Sequence, residues 1–529
     1  MSRNSLITNG IVAIVVVLLT CASFMPSING NIEFKKTSMI FLEVPPEEEW
    51  NRTFGGIDYD DGYSVQQTND GGYIITGFTN SFGAGNWDAL LIKTDPDGIE
   101  EWNHTFGGVS YDRGYSVQQT NDGGYIITGC TQSFGASSFD VWLIKTDPDG
   151  IEEWNHTFGG SNEDWGYSVQ QTNDSGYIIA GYTHSYGAGE SDFWLIKTDT
   201  NGIEEWNHTF GGNYADRGRS VQQTDDDGYI IAGNTVSYDS DDTGCDVWLI
   251  KTDSNGIIEW HQTFGGSGTK NKFDIGYSVQ QTDEGGYIIA GDTEIYQVDM
   301  ADFLLIKTDS DGKQEWYKTF GGSYADRGRS VQQTKDGGYI LTGWTFSYSI
   351  IDPDIWLIKT DSGGTENWNL IFMFGENSGD WGYSVEQTND NGYIITGATM
   401  PEGWMSVGSS SSNTVEGTNV WLIKVEGENL PPDAPKIDGQ QRGKSGIEYN
   451  YTFVTTDLDG DEVYYYIDWD DSNIEEWIGP YASGLEVKVN HTWEEIGTYI
   501  IKAKAKDIFD SESDWASFDI EIPRNRATT

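Results

Sequence analysis

Carboxylates at a fixed position of an internal repeat are the side chains of this sequence best placed to do chemistry. An Asp-x-Gly triplet recurs along the chain, and its aspartates are Asp60, Asp112, Asp164, Asp216, Asp274, Asp326 and Asp380. Seven carboxylates at one radius could line a cation-binding mouth. Alternatively, each aspartate accepts hydrogen bonds from backbone N–H groups of its own turn. We favour the structural role, because every repeat carries the residue.

The residue after each of these aspartates differs between repeats. It is Asp61, Arg113, Trp165, Arg217, Ile275, Arg327 and Trp381. In near-identical repeats, a position that varies among arginine and tryptophan is a candidate for ligand contact, since both types dominate binding hot spots. Random drift at an exposed site is the alternative. The predicted ligand-binding set is Arg113, Trp165, Arg217, Arg327, Trp381 and, on a serine-rich insertion, Trp404.

A separate acidic cluster near the C-terminus consists of Asp457, Asp459 and Asp461. Closely spaced carboxylates are the ligands that Ca²⁺ prefers, so this cluster is a candidate metal site. The Asp-x-Asp-Gly turns of the repeats, such as Asp95 to Gly98, lack the further ligands of a calcium loop and are interpreted as hairpin turns. We predict no other cofactor.

No set of residues confined to one repeat has the composition of a catalytic centre. His104, His156 and His208 occupy one repeated position, which is Arg52 and Gln262 in other repeats. An enzyme needs a unique nucleophile and base, a carboxylate pair or a group of metal ligands. The sequence therefore predicts a protein without catalytic activity.

The elements that position these residues belong to a repeat of about 50 residues. Its marker, Trp-x-x-Thr-Phe-Gly-Gly, is followed by Ser-Val-Gln-Gln-Thr, Gly-Tyr-Ile and Trp-Leu-Ile-Lys segments, separated by turns rich in Gly, Asp and Asn. Four short strands, named a to d, thus repeat seven times and predict an all-β, seven-bladed β-propeller with strand a innermost. The markers begin at Trp50, Trp102, Trp154, Trp206, Trp260 and Trp316, with a degraded copy at Trp368.

The repeats are out of phase with the predicted blades. Residues 47–54 form a strand d with no strands a to c before it, and residues 420–425 form a strand c with no strand d after it. We therefore predict that the N-terminal strand closes the last blade and removes the open edges of the array. The variable d–a connections, which are predicted to carry the Asp-x-Gly triplets, and the b–c connections share one face, which is the expected binding surface.

The N-terminal sequence indicates that the protein is exported. Residues 1–30 contain the apolar run Ile11 to Leu19 and are interpreted as a signal peptide or N-terminal anchor, followed by a linker at 31–45. Cys21 loosely resembles a lipoprotein lipidation site, although Thr20 replaces the usual small residue. Candidate glycosylation residues are Asn51, Asn103, Asn155, Asn173, Asn207, Asn450 and Asn490.

Beyond the propeller at 46–426 and a proline-rich linker at 427–436, short alternating strands at 437–523 predict a β-sandwich, followed by a tail at 524–529. Segments around Tyr466 to Asp471, His491 to Trp493 and Gly497 to Tyr499 resemble a polycystic-kidney-disease (PKD)-type immunoglobulin-like domain. The departure is Trp469-Asp470-Asp471-Ser472, where the family usually has Trp-Gly-Asp-Gly. The resemblance implies a spacer or adhesion module. The repeats, in turn, resemble those of prokaryotic secreted β-propeller proteins.

The formal net charge is −54, from 30 basic and 84 acidic residues. Nucleic acid and anionic membrane surfaces need basic patches and are therefore not expected as partners. Membrane contact is expected only through the N-terminal segment, if it is retained or lipidated. We predict an extracellular or cell-surface, non-catalytic binding or adhesion protein whose partner is a cell-surface glycan or an envelope protein. The alternatives are a purely structural envelope component and a propeller hydrolase or lyase acting on polysaccharide.

Overall fold

The structure, a computed structural model, describes residues 45–523 except 137, 239–243, 266–271, 296–299, 349–351, 376–377, 401–416, 428 and 458. The predicted signal segment, nearly all of the following linker, Trp404 and the C-terminal tail lie outside these residues. The described residues form strands and turns without any helix, which confirms the all-β class. No helix long and apolar enough to cross a membrane is found among them.

The repeats form seven four-stranded antiparallel sheets. The strands of the first three complete repeats, preceded by β1 (Glu48–Phe54), are β2 (Asp60–Gln67), β3 (Tyr73–Thr79), β4 (Asp88–Thr94), β5 (Glu100–Phe106), β6 (Asp112–Gln119), β7 (Tyr125–Thr131), β8 (Asp140–Thr146), β9 (Glu152–Phe158), β10 (Asp164–Gln171), β11 (Tyr177–Thr183), β12 (Asp192–Thr198) and β13 (Glu204–Phe210). The remaining strands are β14 (Asp216–Gln223), β15 (Tyr229–Thr235), β16 (Asp246–Thr252), β17 (Ile258–Phe264), β18 (Lys272–Gln281), β19 (Tyr287–Ile295), β20 (Met300–Thr308), β21 (Gln314–Phe320), β22 (Asp326–Gln333), β23 (Tyr339–Thr345), β24 (Asp354–Thr360), β25 (Glu366–Phe372), β26 (Asp380–Gln387), β27 (Tyr393–Thr399) and β28 (Asn419–Val425).

The last sheet combines the two ends of the repeat region. The other sheets take four consecutive strands, from β2–β5 to β22–β25, whereas the seventh has the order β26-β27-β28-β1. Strand β1 pairs antiparallel with β28, so that Phe54 lies opposite Val420. This is the pairing that the phase of the repeats predicts.

Adjacent sheets bury their apolar residues against each other. Strands β3 and β4 are buried along their whole length, because a neighbouring sheet covers each face. One hydrophobic cluster joins Ile74 and Leu91 of the first sheet to Tyr125 of the second. An equivalent cluster joins Tyr73 of the first sheet to Leu422 of the last.

Three hydrogen bonds from the Ser-Val-Gln-Gln segment link each sheet to the next, which explains why this segment repeats. Between the first and second sheets, Val117 N donates to Ser64 Oγ at 3.3 Å and Gln119 N donates to Gln66 Oε1 at 2.7 Å. In return, Asn69 N donates to Gln119 Oε1 at 2.9 Å. Equivalent bonds occur at the other junctions, including the one between the last sheet and the first.

Strand a of all seven sheets lines one cavity of about 260 Å³. Each sheet contributes a valine, such as Val65, and six of the seven sheets contribute a glutamine, such as Gln66. The last sheet contributes Glu386 in place of the glutamine, and its Oε2 accepts the hydrogen bond from Gln67 N at 2.7 Å.

The C-terminal part contains two further sheets. Strands β29, β30 and β33 form one, and β32, β31, β34 and β35 form the other, in that order. Both contribute to a single hydrophobic cluster around the fully buried Trp469 and Trp493. The strands are β29 (Lys436–Asp438), β30 (Glu448–Val454), β31 (Val463–Asp468), β32 (Ile474–Tyr481), β33 (Val487–Thr492), β34 (Gly497–Lys506) and β35 (Ala516–Ile522).

Candidate functional site

The described residues of the predicted ligand-binding set lie on strand a and not in the d–a loops. The aspartate of the Asp-x-Gly triplet is the first residue of strand a in six sheets and the third residue in the fifth sheet. In the first sheet, buried Asp60 accepts hydrogen bonds from Gly56 N at 2.7 Å and from Ser81 Oγ at 2.6 Å. The carboxylate thereby fixes the start of the strand, so that Asp61 already pairs with Phe78.

The residues that follow these aspartates are half-buried in the structure, which corrects the picture of an exposed site open to drift. The Arg113 guanidinium lies 4.1 Å from the Trp87 ring and 5.6 Å from the Trp165 ring. Its Nη1 donates to Tyr115 Oη at 3.0 Å. Trp165 also stacks on Tyr182, with centroids 6.3 Å apart and planes inclined by 14°. Packing against the neighbouring sheet therefore brings Arg113 and Trp165 together.

Trp381 forms no ring contact with this aromatic group among the described residues. Trp381 is half-buried, and its indole lies over Gly379. Trp404 falls outside the described residues. The role of both as ligand contacts stays a prediction.

A second row of large side chains occupies strand a two residues further on. Contacts run from Tyr383 to Tyr63 at 4.8 Å, from Tyr63 to Tyr115 at 5.2 Å and from Tyr115 to Tyr167 at 5.0 Å, all between ring centroids. The Arg219 guanidinium then lies 4.5 Å from the Tyr167 ring. The row continues to the other sheets with Tyr277 and Arg329.

The sixth sheet shows how this environment accommodates two arginines. Asp292 on β19 of the preceding sheet is buried, and its Oδ2 lies 3.3 Å from Arg327 Nη1 and 3.0 Å from Arg329 Nη1. Its Oδ1 accepts a hydrogen bond from Gly328 N at 2.8 Å. The arginine pair is therefore neutralised in part by a carboxylate that the chain itself supplies.

The same Asp-Arg-Gly-Arg sequence in the fourth sheet has no such carboxylate. Tyr182 on β11 occupies the position of Asp292, and the Arg217 guanidinium lies 5.0 Å from its ring. Neither Arg217 nor Arg219 forms an ion pair within the described part of the chain, and the Nε atom of each is buried without a hydrogen-bond partner. Because an uncompensated buried charge is costly, this pair is suited to take an anion from outside.

Exposed aromatic residues surround the same end of strand a. Tyr111, Tyr214 and Tyr324 lie in d–a loops, and Phe134 and Tyr186 lie in b–c loops. Each presents part of its ring to solvent, and clusters of such rings provide stacking surfaces. The face predicted to bind ligand is therefore rich in aromatic surface.

The acidic cluster predicted to bind Ca²⁺ is assembled in the structure. Ligand oxygens of Asp457, Asp459 and Asp461 lie within 4.8 Å of one another. Asp457 Oδ2 is buried without a hydrogen-bond partner, while Oδ1 accepts from Asp459 N at 2.9 Å and Asp461 N at 3.1 Å. Burial raises the pKa of Asp457, an effect that the backbone donors reduce and the adjacent carboxylates increase. The unpartnered oxygen fits a hard cation such as Ca²⁺.

The candidate glycosylation residues lie on strand d, in a turn and on the C-terminal strands. Asn103 Nδ2 donates to Glu100 Oε1 at 2.6 Å, and Asn490 Nδ2 donates to Glu448 Oε1 at 2.7 Å. Since Nδ2 is the atom that carries an N-linked glycan, modification would replace these bonds. The equivalents on strand d are Asn51, Asn155 and Asn207, Asn173 lies in an a–b turn, and Asn450 lies opposite Asn490.

Sequence reasoning overlooked Arg219, Arg329, Asp292 and Glu386. Asp292 and Glu386 could have been found from the sequence, because each departs from the residue type of its repeat position. Asp292 is the one acidic residue at its position of strand b, and Glu386 replaces a glutamine found in the other six sheets.

No protein-family model matches the chain, and no curated protein matches it. Among solved structures, the PKD domain of an M14-like peptidase from Thermoplasmatales archaeon SCGC AB-540-F20 is 52% identical. The match covers 18% of this chain and 100% of that one, with a TM-score of 0.18. This match to a PKD domain concerns only a small part of the chain.

Proposed function

We propose that this protein is an exported or cell-surface, non-catalytic binding protein whose repeats form a seven-bladed β-propeller. The hydrogen bonds that link each sheet to the next, and the last to the first, support this arrangement. Strand β1 closes the last blade, and residues 437–523 form a PKD-type immunoglobulin-like domain that acts as a spacer or adhesion module. Ca²⁺ is held by Asp457, Asp459 and Asp461.

The ligand is a surface glycan that carries carboxylate groups. The observation that carries this choice is the contrast between the two arginine pairs: Arg327 and Arg329 share Asp292, whereas Arg217 and Arg219 have no described carboxylate partner. A uronic-acid carboxylate would complete the second pair through charge-assisted hydrogen bonds. Sugar rings would stack on the exposed aromatic residues of the d–a and b–c loops.

The test is a binding screen of the purified protein against oligosaccharides that contain uronic acids, each beside its carboxyl-reduced counterpart. We expect binding to the acidic member of each pair. Replacing Arg217 and Arg219 together with alanine should weaken binding by about tenfold or more, the usual effect of losing charge-assisted bonds. Arg442→Ala, which removes an arginine that is 74% exposed in the C-terminal domain, is the matched control.

A second variant tests the same site without removing an arginine. Tyr182→Asp places a carboxylate where Asp292 stands in the sixth sheet, so the chain would satisfy Arg217 and Arg219 itself. Binding of the acidic oligosaccharide should then be lost, while the protein remains folded by circular dichroism. Equal binding of acidic and reduced oligosaccharides, or undiminished binding by both variants, would contradict the proposal.

A further inference from the structure

A second series of aspartates faces the Asp-x-Gly aspartates across the junctions between sheets. Asp88 is the first residue of strand c in the first sheet, and Asp112 begins strand a in the second. Gly107, the first glycine of the Thr-Phe-Gly-Gly marker, lies between them. A Cβ atom on Gly107 would stand 1.9 Å from Asp88 Oδ1 and 2.8 Å from Asp112 Oδ2. The two oxygens therefore approach one point from two different sheets, and only glycine fits beside them.

The arrangement repeats at further junctions. Around Gly159, the corresponding distances are 1.9 Å to Asp140 Oδ1 and 2.8 Å to Asp164 Oδ2. Gly211 has the same two distances, to Asp192 Oδ1 and Asp216 Oδ2. At Gly321 they are 2.3 Å to Asp302 Oδ1 and 2.8 Å to Asp326 Oδ2. The pairing is thus a property of the repeat and not of one loop.

Two of the strand c aspartates, Asp88 and Asp140, each carry an oxygen that has no hydrogen-bond partner in the described chain. Asp88 and Asp140 are each 1% exposed, and the Oδ1 atom of each is buried without a hydrogen-bond partner. The other oxygen of Asp88 accepts from Ala84 N at 2.7 Å. Asp112 Oδ2, in contrast, accepts from Gly108 N at 2.9 Å and Ser133 Oγ at 2.5 Å. The unpartnered oxygens of Asp88 and Asp140 therefore each lie near an oxygen of a second carboxylate.

Two buried carboxylates in this position need a cation or a shared proton between them. A divalent cation can bind one oxygen of each carboxylate and thereby neutralise the pair.

We propose that these junctions bind Ca²⁺, each ion lying between Oδ1 of a strand c aspartate and Oδ2 of the strand a aspartate of the next sheet. Carboxylate oxygens are the ligands that Ca²⁺ prefers, and main-chain carbonyls and water complete its shell. The ions cross-link neighbouring sheets and offset part of the net charge of −54. The sequence analysis considered a cation site at the Asp-x-Gly aspartates but favoured a structural role for them, and it did not predict the strand c aspartates as partners.

The junction between the last sheet and the first supplies an internal control. There Asn419 replaces the strand c aspartate, and its Oδ1 would lie 2.4 Å from a Cβ atom on Gly55, with Asp60 Oδ2 at 2.6 Å. Asparagine therefore fits at the first position of strand c without a change in the backbone conformation. Asp88→Asn and Asp140→Asn should consequently fold, and Asn419→Asp should create an additional pair.

The experiment measures calcium bound to the full chain at pH 8, by equilibrium dialysis followed by atomic emission. Relative to the parent, Asp88→Asn should lose about one ion and the Asp88→Asn, Asp140→Asn double variant about two, one per junction. Asn419→Asp should gain about one. Asp461→Asn serves as the control for the C-terminal cluster, because any ion that it loses is not a junction ion.

Unchanged calcium content in the double variant and in Asn419→Asp would overturn the proposal. If a shared proton neutralises each pair, the calcium content is likewise unchanged in these variants. Asp88→Asn would then alter the pH dependence of unfolding at every calcium concentration. Should the asparagine variants unfold, Asn419→Asp remains decisive, since it removes no existing interaction of a junction pair. Its failure to bind additional calcium would then reject the assignment.

Discussion

Glu386 occupies the position at which the other six sheets place a glutamine beside the cavity. Burial raises its pKa from 4.5 to about 7, although the hydrogen bond from Gln67 N opposes the shift. The folded state therefore binds more protons than the unfolded chain between these two pH values. Stability that is fully present below pH 4.5 is lost as the pH rises through 7.

Glu386→Gln should remove this pH dependence. Glutamine can accept the same hydrogen bond from Gln67 N, as Gln66 does from Gln119 N at 2.7 Å. We expect the variant and the parent to be equally stable at pH 4.5, and the variant to be more stable at pH 8 by roughly 1 kcal/mol. The difference is small because the cavity beside the carboxylate limits its desolvation. Thermal unfolding at both pH values measures the difference. Glu495→Gln, on an exposed residue, is the control, and a parallel pH profile for Glu386→Gln and parent would contradict the argument.

Individual residues were predictable where the repeat itself carried the signal. The sequence identified Asp60 and its equivalents as structural and singled out Arg217 and Arg327 as variable. It could not predict Asp292 as a partner of Arg327, or Asp88 as a partner of Asp112. Each of these pairs joins residues on different sheets, and the junction is formed by packing that no local pattern encodes.

Buried lysines tie the elements of each sheet together. Lys93 on strand c is 3% exposed, and its Nζ lies 3.0 Å from Asp70 Oδ2 in the a–b turn and 3.0 Å from Glu101 Oε2 on strand d. In the last sheet, Lys424 Nζ lies 3.2 Å from Glu49 Oε2 on β1. Ion pairing therefore adds to the strand pairing that holds β1 in place. The four strands per repeat and their order were predictable from turn chemistry, whereas these lysine contacts were not.

Removing β1 should destabilise all of the repeats. A chain that begins at residue 55 loses the outer strand of the last sheet and exposes β28 as an open edge. Its melting temperature should fall by about 10 °C or more compared with a chain that begins at residue 45, because several kcal/mol of pairing and burial are lost. Differential scanning calorimetry provides the comparison. The same transition in both chains would show that β1 is dispensable.

The net charge affects the stability of the molecule as a whole. With 84 acidic and 30 basic residues, the folded chain brings like charges closer together than the unfolded chain does. The lysines that pair with carboxylates, such as Lys145 and Lys197, are almost fully buried, whereas most aspartates and glutamates of the turns face solvent. Repulsion therefore acts mainly at the surface, and the compensating ion pairs have one buried partner.

Added salt should consequently stabilise this protein. Raising NaCl from about 0.01 M to about 1 M shortens the Debye length from about 30 Å to about 3 Å, which screens the surface repulsion. The same salt weakens pairs such as Lys145 with Glu153 only in part, since the lysine side chain is 3% exposed, and an exposed pair contributes no more than about 1 kcal/mol. Repulsion summed over the whole surface should outweigh this loss, so the melting temperature should rise with NaCl in calcium-free protein. Choline chloride at equal ionic strength should have the same effect if screening is the cause. A melting temperature that falls with both salts would show that the ion pairs, and not the net charge, dominate the electrostatic stability of the molecule.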